Sequence, residues 1–582
     1  MSILIKTVRV SGFRALENVE VSLEKITVLT GMNNSGKTSL LKAIQLALGN
    51  RQFISQDDFF IKDVEAADQI IIDLLIIPLS IDGNQSAEFE ADWEILLTTD
   101  RIRTDGSKSF VPLRTVVTYD PVNSTFKTHQ YILNTWPSFI NADVNWFDVD
   151  NGKKTNFFFD ELPFFYIDAQ RDILEDIKIR NSYLGKMLSK IEYSQEDIEA
   201  LEEQIKALNE TAVNSSEILI NIKQNLKELD TAMGNATNGV EITPFTKKIR
   251  DLNKGITIYY GDTQDSFSME YHGMGTRSWS SLLTLKSFIS VLKSNASTQN
   301  TVFFPILAIE EPEAHLHPNA QKKLYGQIAN ISGQKIISTH SPYIAATAEL
   351  EQIRSLYKSD KVVCGKVSCT ELSPEELRKI NRQVVNTRGE IFFSKTIVFF
   401  EGETEEQALP ILAKEFFGKT PVEMGVDFIG VGGCGNYLPF LRFAEALNIP
   451  WFIFSDAENT ADKQIKASVQ NQFQECGTLR AEIDAVVFLD DGNNFEKQLI
   501  IDGYQDEIKD ALLSLDEYAN ERHKAAKKAD IQAYDDDRLY EIITGIKTKF
   551  GPAIADSIVK SGKALPPKVA VLFDKINVLL SM

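Results

Sequence analysis

Apolar and polar positions alternate at the start of the chain, with Ile3, Ile5, Val8 and Val10 on one side, which predicts a half-buried strand. A second apolar run, Ile26-Thr27-Val28-Leu29, reads as a buried strand that stops at Gly31. From Ser39 to Leu48 the apolar spacing turns helical, and Gly49 is a fitting stop. Residues 68–170 are rich in β-formers, and strands are expected over Ile70 to Pro78, Ala91 to Leu97, Val111 to Thr118 and Phe157 to Ala169. From about 172 to 235 the pattern becomes charged and helical, with Met187, Leu188, Ile191, Ile198, Leu201, Ile205 and Leu208 as its apolar positions. That is read as a solvated helical hairpin rather than a long coiled coil, with a dimer contact as a further role. β-character returns at Gly255 to Tyr260. A helix over Arg277 to Lys293, a strand over Val302 to Ile309, a helix over 318–330 and a strand over Lys335 to Ser338 follow. A fresh alternation then begins: strand 396–400, helix 404–417, strand 426–430, helix 436–447, strand 450–454. Strands alternating with helices at this spacing predict a second parallel-sheet unit, and its boundary falls between about 380 and 395. The last hundred or so residues read as mostly helical, with one strand near Ala485 to Leu489.

Bulk properties narrow the class. A chain of 582 residues is long for one core, so two to four domains are expected. A formal net charge of -21 argues against a generally basic nucleic-acid coat but leaves room for a local basic groove. Cys364, Cys369, Cys434 and Cys476 lack metal-ligand spacing and read as reduced thiols of a cytoplasmic protein. The N-terminal pattern is strand-like, not that of a signal peptide, and no run approaches the roughly 18 apolar residues of a membrane span.

Candidate chemistry sits at the ends of the predicted strands. Gly31-Met32-Asn33-Asn34-Ser35-Gly36-Lys37-Thr38 fits G-x-x-x-x-G-K-[ST] between a strand and a helix. Small residues let backbone N–H groups approach phosphate, Lys37 reaches the β/γ-phosphates, and the Thr38 hydroxyl ligates Mg²⁺. Asn34, Gly36 and Ser39 complete the loop. Leu307-Ala308-Ile309-Glu310-Glu311-Pro312-Glu313 puts two acids at a strand tip, Glu310 to hold the Mg²⁺ shell and Glu311 to polarise the attacking water. Ile336-Ile337-Ser338-Thr339-His340 places a candidate γ-phosphate sensor at the next tip. His272-Gly273-Met274-Gly275-Thr276-Arg277 precedes a helix, where glycines make an anion site.

Taken in order, these four motifs resemble the ABC-type ATPases: Walker A, signature, Walker B and switch histidine. The resemblance implies ATP held between two heads, each signature loop covering the other's nucleotide, and hence a homodimer or higher oligomer. His272 departs from the serine usual there. Gln170, in Tyr166-Ile167-Asp168-Ala169-Gln170-Arg171-Asp172, is either the Q-loop glutamine near Mg²⁺ or part of an ordinary strand-to-helix cap. Arg14, in the Gly-Phe-Arg turn, matches the family's N-terminal basic residue near the nucleotide.

A second set of acids follows in the last third. Glu401-Gly402-Glu403-Thr404-Glu405 comes after the run Thr396 to Phe400, and Asp456-Ala457-Glu458 after Pro450 to Phe454. Neighbouring parallel strands would bring Glu401, Glu405, Asp456 and Glu458 together. Carboxylates this close require cations, and oxygen-only ligands suit Mg²⁺ or Mn²⁺. Between the two groups lies the turn Gly430-Val431-Gly432-Gly433-Cys434-Gly435-Asn436. This ordered set resembles the TOPRIM domain of topoisomerases, primases and nucleases, with Asp456-x-Glu458 in place of Asp-x-Asp. An ABC-type head with a helical insertion, followed by a TOPRIM (Rossmann-like) α/β domain and helical C-terminal elements, resembles the OLD (overcoming lysogenization defect) family of endonucleases. That resemblance implies a division into 1–171 and 236–390 for the head, 172–235 for the insertion and 391–582 for the nuclease part. It also implies a further acid, Glu496, and a lysine, Lys563 or its rival Lys560, to stabilise charge on the scissile phosphate. The function expected is an ATP-gated, metal-dependent DNA endonuclease or nickase acting in antiviral defence, with a regulatory protein or nucleic-acid partner as a further expectation. The alternatives are a DNA-clamping ATPase with a non-cutting metal site, and a TOPRIM enzyme that makes or relaxes DNA, for which no nucleophilic tyrosine stands out.

Overall fold

The computed structural model describes residues 2–48, 54–62, 65–80, 82–140, 145–170, 172, 194–222, 259–260, 267–268, 271, 273–358, 361–369, 372–382, 389–433, 436–456, 485–490, 492–518 and 520–581. The chain divides into two compact units. One comprises Met1–Tyr166, Ile306–Glu313 and Pro318–Met582, and the other Ile167–Pro305 and Ala314–His317.

In the first unit an antiparallel sheet runs in the spatial order Lys153–Thr155, Thr125–Ile132, Lys108–Asp120, Gln69–Leu79, Ser2–Phe13 and Leu16–Ser22, with Arg103–Asp105 paired onto Lys108–Asp120. Its long strands pair over many residues, as in the register from Ser2 against Leu79 to Ser11 against Ile71. A buried ion pair ties two of them: Arg114 Nη2 meets Asp73 Oδ2 at 2.8 Å, and both side chains are fully enclosed.

A second sheet has the order Phe164–Ile167, Ile306–Glu310, Gln334–Ser338, Ile26–Thr30, Ile353–Lys358, Val362–Gly365. Its central strands are parallel. Parallel strands covered on both faces are near-continuous apolar runs, which explains why Ile26–Thr30 and Ile306–Glu310 were readable as strands. The strand expected over Val302 to Ile309 starts later, at Ile306, and ends at Glu310.

The third sheet, also in the first unit, is wholly parallel with the order Val426–Gly430, Thr396–Phe400, Trp451–Ser455, Val486–Phe488. Val398, Phe400, Phe452 and Phe454 face a core shared with the C-terminal helices through Phe495, Ile508, Phe550 and Phe573. On the opposite face Phe399 meets Phe440 of the helix Tyr437–Ala446, with ring centroids 5.8 Å apart. The first strand in sequence is central and its two neighbours are reached by crossovers in opposite directions. That is a topological switch point, and such sheets bind ligands beyond the carboxyl ends of the strands there.

In the second unit the described part of the expected hairpin includes the helix Gln195–Asn214. Met274–Thr298 forms a longer helix than the one read from Arg277 to Lys293. One expectation fails in kind: Ala91–Leu97 is a helix, not a strand, because Trp93 and Leu97 bury the same face four residues apart while Ile95 is 76% exposed. Among the described residues no helix is long and apolar enough to cross a membrane.

Candidate functional site

The phosphate loop follows the strand Ile26–Thr30 and opens the helix Lys37–Ala47. Its shape depends on glycine: Gly31 has φ 134°, and a Cβ there would sit 2.1 Å from the Leu356 carbonyl oxygen. Asn34 lies exposed at the tip, and Ser39 is half-buried in the first helical turn. Lys37 Nζ folds into the loop and donates to the Gly31 and Met32 carbonyls at 2.7 and 2.9 Å. Burial lowers its pKa to about 8, against the opposing pull of Glu311, Glu313 and Glu310. The cradle therefore offers N–H groups and a desolvated cation, which fits a polyphosphate.

Glu310 ends the strand Ile306–Glu310, and the hydroxyls of Thr38 and Tyr166 each donate to one of its oxygens. Glu311 has φ 41°, an uncommon conformation for a side chain of its size, and its N–H donates to the Ser338 carbonyl. Glu313 Oε1 accepts from the Thr339 hydroxyl at 2.8 Å and from the N–H groups of His340 and Ser341 at 2.7 and 3.0 Å. His340 Nε2 is 3.8 Å from Glu311 Oε1. Burial and the neighbouring Lys37 lower the His340 pKa despite Glu311, so the imidazole is neutral near pH 7. Lys37, Glu310, Glu311 and His340 are thus brought together as the motifs predict.

Three other expected nucleotide contacts have different surroundings. Arg14 pairs through Nε with Asp58 at 2.8 Å. Gln170 lies exposed in the second unit, its N–H donating to Asp168 Oδ1 in a local cap. In the same unit Gly273 caps the helix Met274–Thr298, and a Cβ on Gly275 would come within 2.4 Å of the His315 carbonyl oxygen. His272 lies outside the described residues. Tyr166, four residues before Gln170, is the side chain of that segment that reaches Glu310, and it was missed. Its ring lies 3.6 Å beneath the Lys42 ammonium. Glu313 was also passed over, although it is the third acid of a visible run.

The second cluster lies at the switch point of the four-stranded sheet. Glu401 follows the fully buried strand Thr396–Phe400, and its Oε1 accepts from the Ser455 hydroxyl at 2.5 Å and the Tyr437 hydroxyl at 3.3 Å. Glu405 lies in the first turn of the helix Glu403–Phe417 and folds back so closely that a Cβ on Gly402 would sit 2.2 Å from its Oε2. Burial raises the Glu405 pKa well above the usual range, with Asp456 and Glu496 adding to the shift. Glu496, 1% exposed, accepts from the Thr404 hydroxyl at 2.5 Å and pairs with Lys547 Nζ at 3.3 Å. Burial alone would lower the Lys547 pKa, but Glu496, Glu405 and Asp456 together hold it above the usual lysine value. Glu458 lies outside the described residues. Among the described residues no three ligand-type side chains are already drawn in as a finished metal nest. What is present is an excess of buried carboxylate around one ammonium group, an arrangement that an oxygen-seeking divalent cation would relieve.

The lysine that the structure places beside these acids is neither of the two expected from the sequence. Lys547 opens the helix Lys547–Ser561, and Lys560 lies 13 residues further along it, about 20 Å away at 1.5 Å per residue. Lys563, beyond that far end, pairs with Glu507 at 3.2 Å and lies 4.3 Å over the Tyr504 ring. The cluster's cation is Lys547.

A phosphate loop, paired-acid strand and switch histidine on one parallel sheet, followed by a four-stranded sheet with acids at its switch point, define an ABC-type ATPase head joined to a TOPRIM domain. The family model described as Protein of unknown function (DUF2813) matches residues 3–390, and that of the Overcoming lysogenization defect protein-like TOPRIM domain matches residues 392–457. The chain belongs to the OLD family, with its TOPRIM domain in the C-terminal part. It is similar to the OLD nuclease of Thermus scotoductus, 24% identical over 78% of this chain and 82% of that protein. The Old nuclease of Escherichia phage P2 is 23% identical over 79% of this chain and 78% of its own length. An Endonuclease GajA of Bacillus cereus is 21% identical over 69% of this chain and 66% of its own.

Proposed function

We propose that this protein is an ATP-binding and ATP-hydrolysing, divalent-metal-dependent DNA endonuclease or nickase of antiviral defence. The observation that carries the reading is the convergence of Glu401, Glu405, Asp456 and Glu496 with Lys547 at the switch point of the TOPRIM sheet. Glu401, Glu405 and Asp456 would hold Mg²⁺ or Mn²⁺. A bound ion supplies an activated water and takes up charge on the leaving oxygen of a phosphodiester. Lys547 donates to a non-bridging phosphate oxygen as charge develops there. Glu496 and Thr404 keep the ammonium group in place.

In the head, Lys37 and the loop N–H groups bind the phosphates of ATP, and Thr38 and Glu310 hold the accompanying Mg²⁺. Glu311 orients the attacking water, and neutral His340 donates to the γ-phosphate. Pairing of two heads would complete the site through the Gly273-Met274-Gly275 loop of a second copy. His340 also has a route to the nuclease strand. Its ring lies 6.3 Å from that of Phe393, and the segment Gly389–Phe393 packs on the helix Pro342–Thr347, so close that a Cβ on Gly389 would meet the Pro342 carbonyl oxygen at 2.2 Å. Three residues after Phe393 the strand leading to Glu401 begins, which supports gating of cutting by nucleotide.

Supercoiled plasmid incubated with Mg²⁺ or Mn²⁺, with and without ATP, tests the reading. Nicked or linear product is expected from the parent and none from Glu401→Ala. Intact DNA in every combination, together with tight DNA binding, would replace the nuclease by a clamp.

A further inference from the structure

Tyr437 is the first residue of the helix Tyr437–Ala446, and its side chain is fully buried. It is delivered there by the glycine turn, in which Gly432 and Gly433 have φ of 72° and 126°. A buried phenol is destabilising unless its hydroxyl finds a hydrogen-bond acceptor. Its hydroxyl is placed among Glu401, Asp456 and Glu405 and reaches Glu401 Oε1 at 3.3 Å. Ser455, from the strand on the other side, reaches the same oxygen at 2.5 Å. The serine hydroxyl also touches the Tyr437 phenol oxygen and lies 3.1 Å from the Asp456 carbonyl, but its contact to Glu401, at 2.5 Å, takes its single proton and leaves the phenol to donate to the same carboxylate oxygen. A carboxylate oxygen has two lone-pair positions in its plane. Two hydroxyl donors therefore occupy both acceptor positions of Oε1, and any ion that Glu401 holds is met by Oε2 alone.

This has a consequence for which ion fits. Mg²⁺ and Mn²⁺ are octahedral and take carboxylates through one oxygen, whereas Ca²⁺ gathers six to eight oxygens and readily takes a carboxylate through both. We propose that Tyr437, together with Ser455, is a positioning residue that holds Glu401 to single-oxygen ligation and so makes the TOPRIM site select Mg²⁺- or Mn²⁺-sized ions over Ca²⁺. The inference rests on the metal-site reading above but not on DNA cutting.

The experiment is a competition. Mn²⁺ bound to the full-length protein without nucleotide is counted from the loss of the free Mn²⁺ electron paramagnetic resonance signal. The TOPRIM fraction is defined as the fraction abolished by Glu401→Ala, and Ca²⁺ is titrated against it. In the parent, Ca²⁺ displaces this fraction weakly. In Tyr437→Phe and Ser455→Ala the selectivity for Mn²⁺ over Ca²⁺ falls about tenfold, the worth of one hydrogen bond to a charged group. A merely structural tyrosine would lower the unfolding temperature and leave that ratio alone. An unchanged ratio in both variants overturns the proposal, as does a parent that binds Ca²⁺ as tightly as Mn²⁺. If Mn²⁺ binds with the expected selectivity but plasmid stays intact, the nuclease reading fails and this inference stands. If plasmid is cut but the ratio does not move, the reverse holds.

Discussion

Replacing Lys547 by Ala separates the TOPRIM reading from its competitors. Lys547 Nζ is 3.3 Å from Glu496, and its side chain is 33% exposed while that of Glu496 is 1% exposed. At an effective dielectric constant of about 20, the Coulomb attraction at that distance is about 5 kcal/mol. Screening at a third-exposed lysine roughly halves that figure, so loss of the cation should cost about 2–3 kcal/mol of stability, most of it from stranding Glu496. The catalytic cost is separate. Loss of one preorganised donor to a developing oxyanion typically lowers turnover by about 100- to 1000-fold. Plasmid nicking under single-turnover conditions, run well below the unfolding temperature of the variant, reads the second effect free of the first. Lys547→Arg, which keeps the charge, should recover part of the rate. Lys563→Ala should change cutting little, because Lys563 pairs with Glu507 instead. If Lys547→Ala cuts like the parent while Lys563→Ala is inactive, Lys547 is not the catalytic cation and the proposed arrangement around Glu496 is wrong.

The nucleotide site makes a pH prediction. Lys37 has a pKa near 8 in the free protein and returns toward its ordinary value beside phosphate, so ATP binding takes up a proton above pH 8. The bound state then holds more protons, and affinity weakens as pH rises, by about tenfold between pH 7 and pH 9; calorimetry in two buffers of different ionisation enthalpy should record the proton, and its absence would remove the argument. Glu313→Ala should lower ATP turnover about tenfold or more with little change in KM, since the His340 turn loses three hydrogen bonds. Glu313→Gln should restore most of it, because the amide oxygen accepts the same donors, and failure of the rescue would mean that charge, not hydrogen bonding, is what matters there. Arg114→Met should cost about 3–5 kcal/mol by leaving Asp73 buried without its cation, and adding Asp73→Leu should return much of that loss, as measured by thermal unfolding.

What was legible in the chain was whatever leaves a local mark. A buried parallel strand is a short apolar run, so Ile26–Thr30, Ile306–Glu310, Thr396–Phe400 and Trp451–Ser455 announced themselves, and the residues at their tips followed. Glycines marked the turns because Gly31, Gly36, Gly432 and Gly433 adopt positive φ. Ala91–Leu97 shows the limit of the same logic. Seven residues with five apolar positions fit a strand or two helical turns equally, and only packing decides: Trp93 and Leu97 are buried and Ile95 is not.

Lys547 and Tyr166 were illegible for a different reason. Each meets the site from an element whose own sequence has no need of it. Lys547 is one of several lysines on the helix Lys547–Ser561, and it meets Glu496 across 51 residues of chain. Tyr166 is one of three aromatic residues in the strand Phe164–Ile167, and it meets Glu310 across 144. Backbone geometry writes the ligand-bearing acids into the local pattern, whereas the groups that neutralise and orient them are chosen by tertiary packing alone. In both clusters the acids at the strand tips, Glu313 excepted, could therefore be named in advance, and partners such as Tyr166 and Lys547 could be found only once the sheets had been assembled.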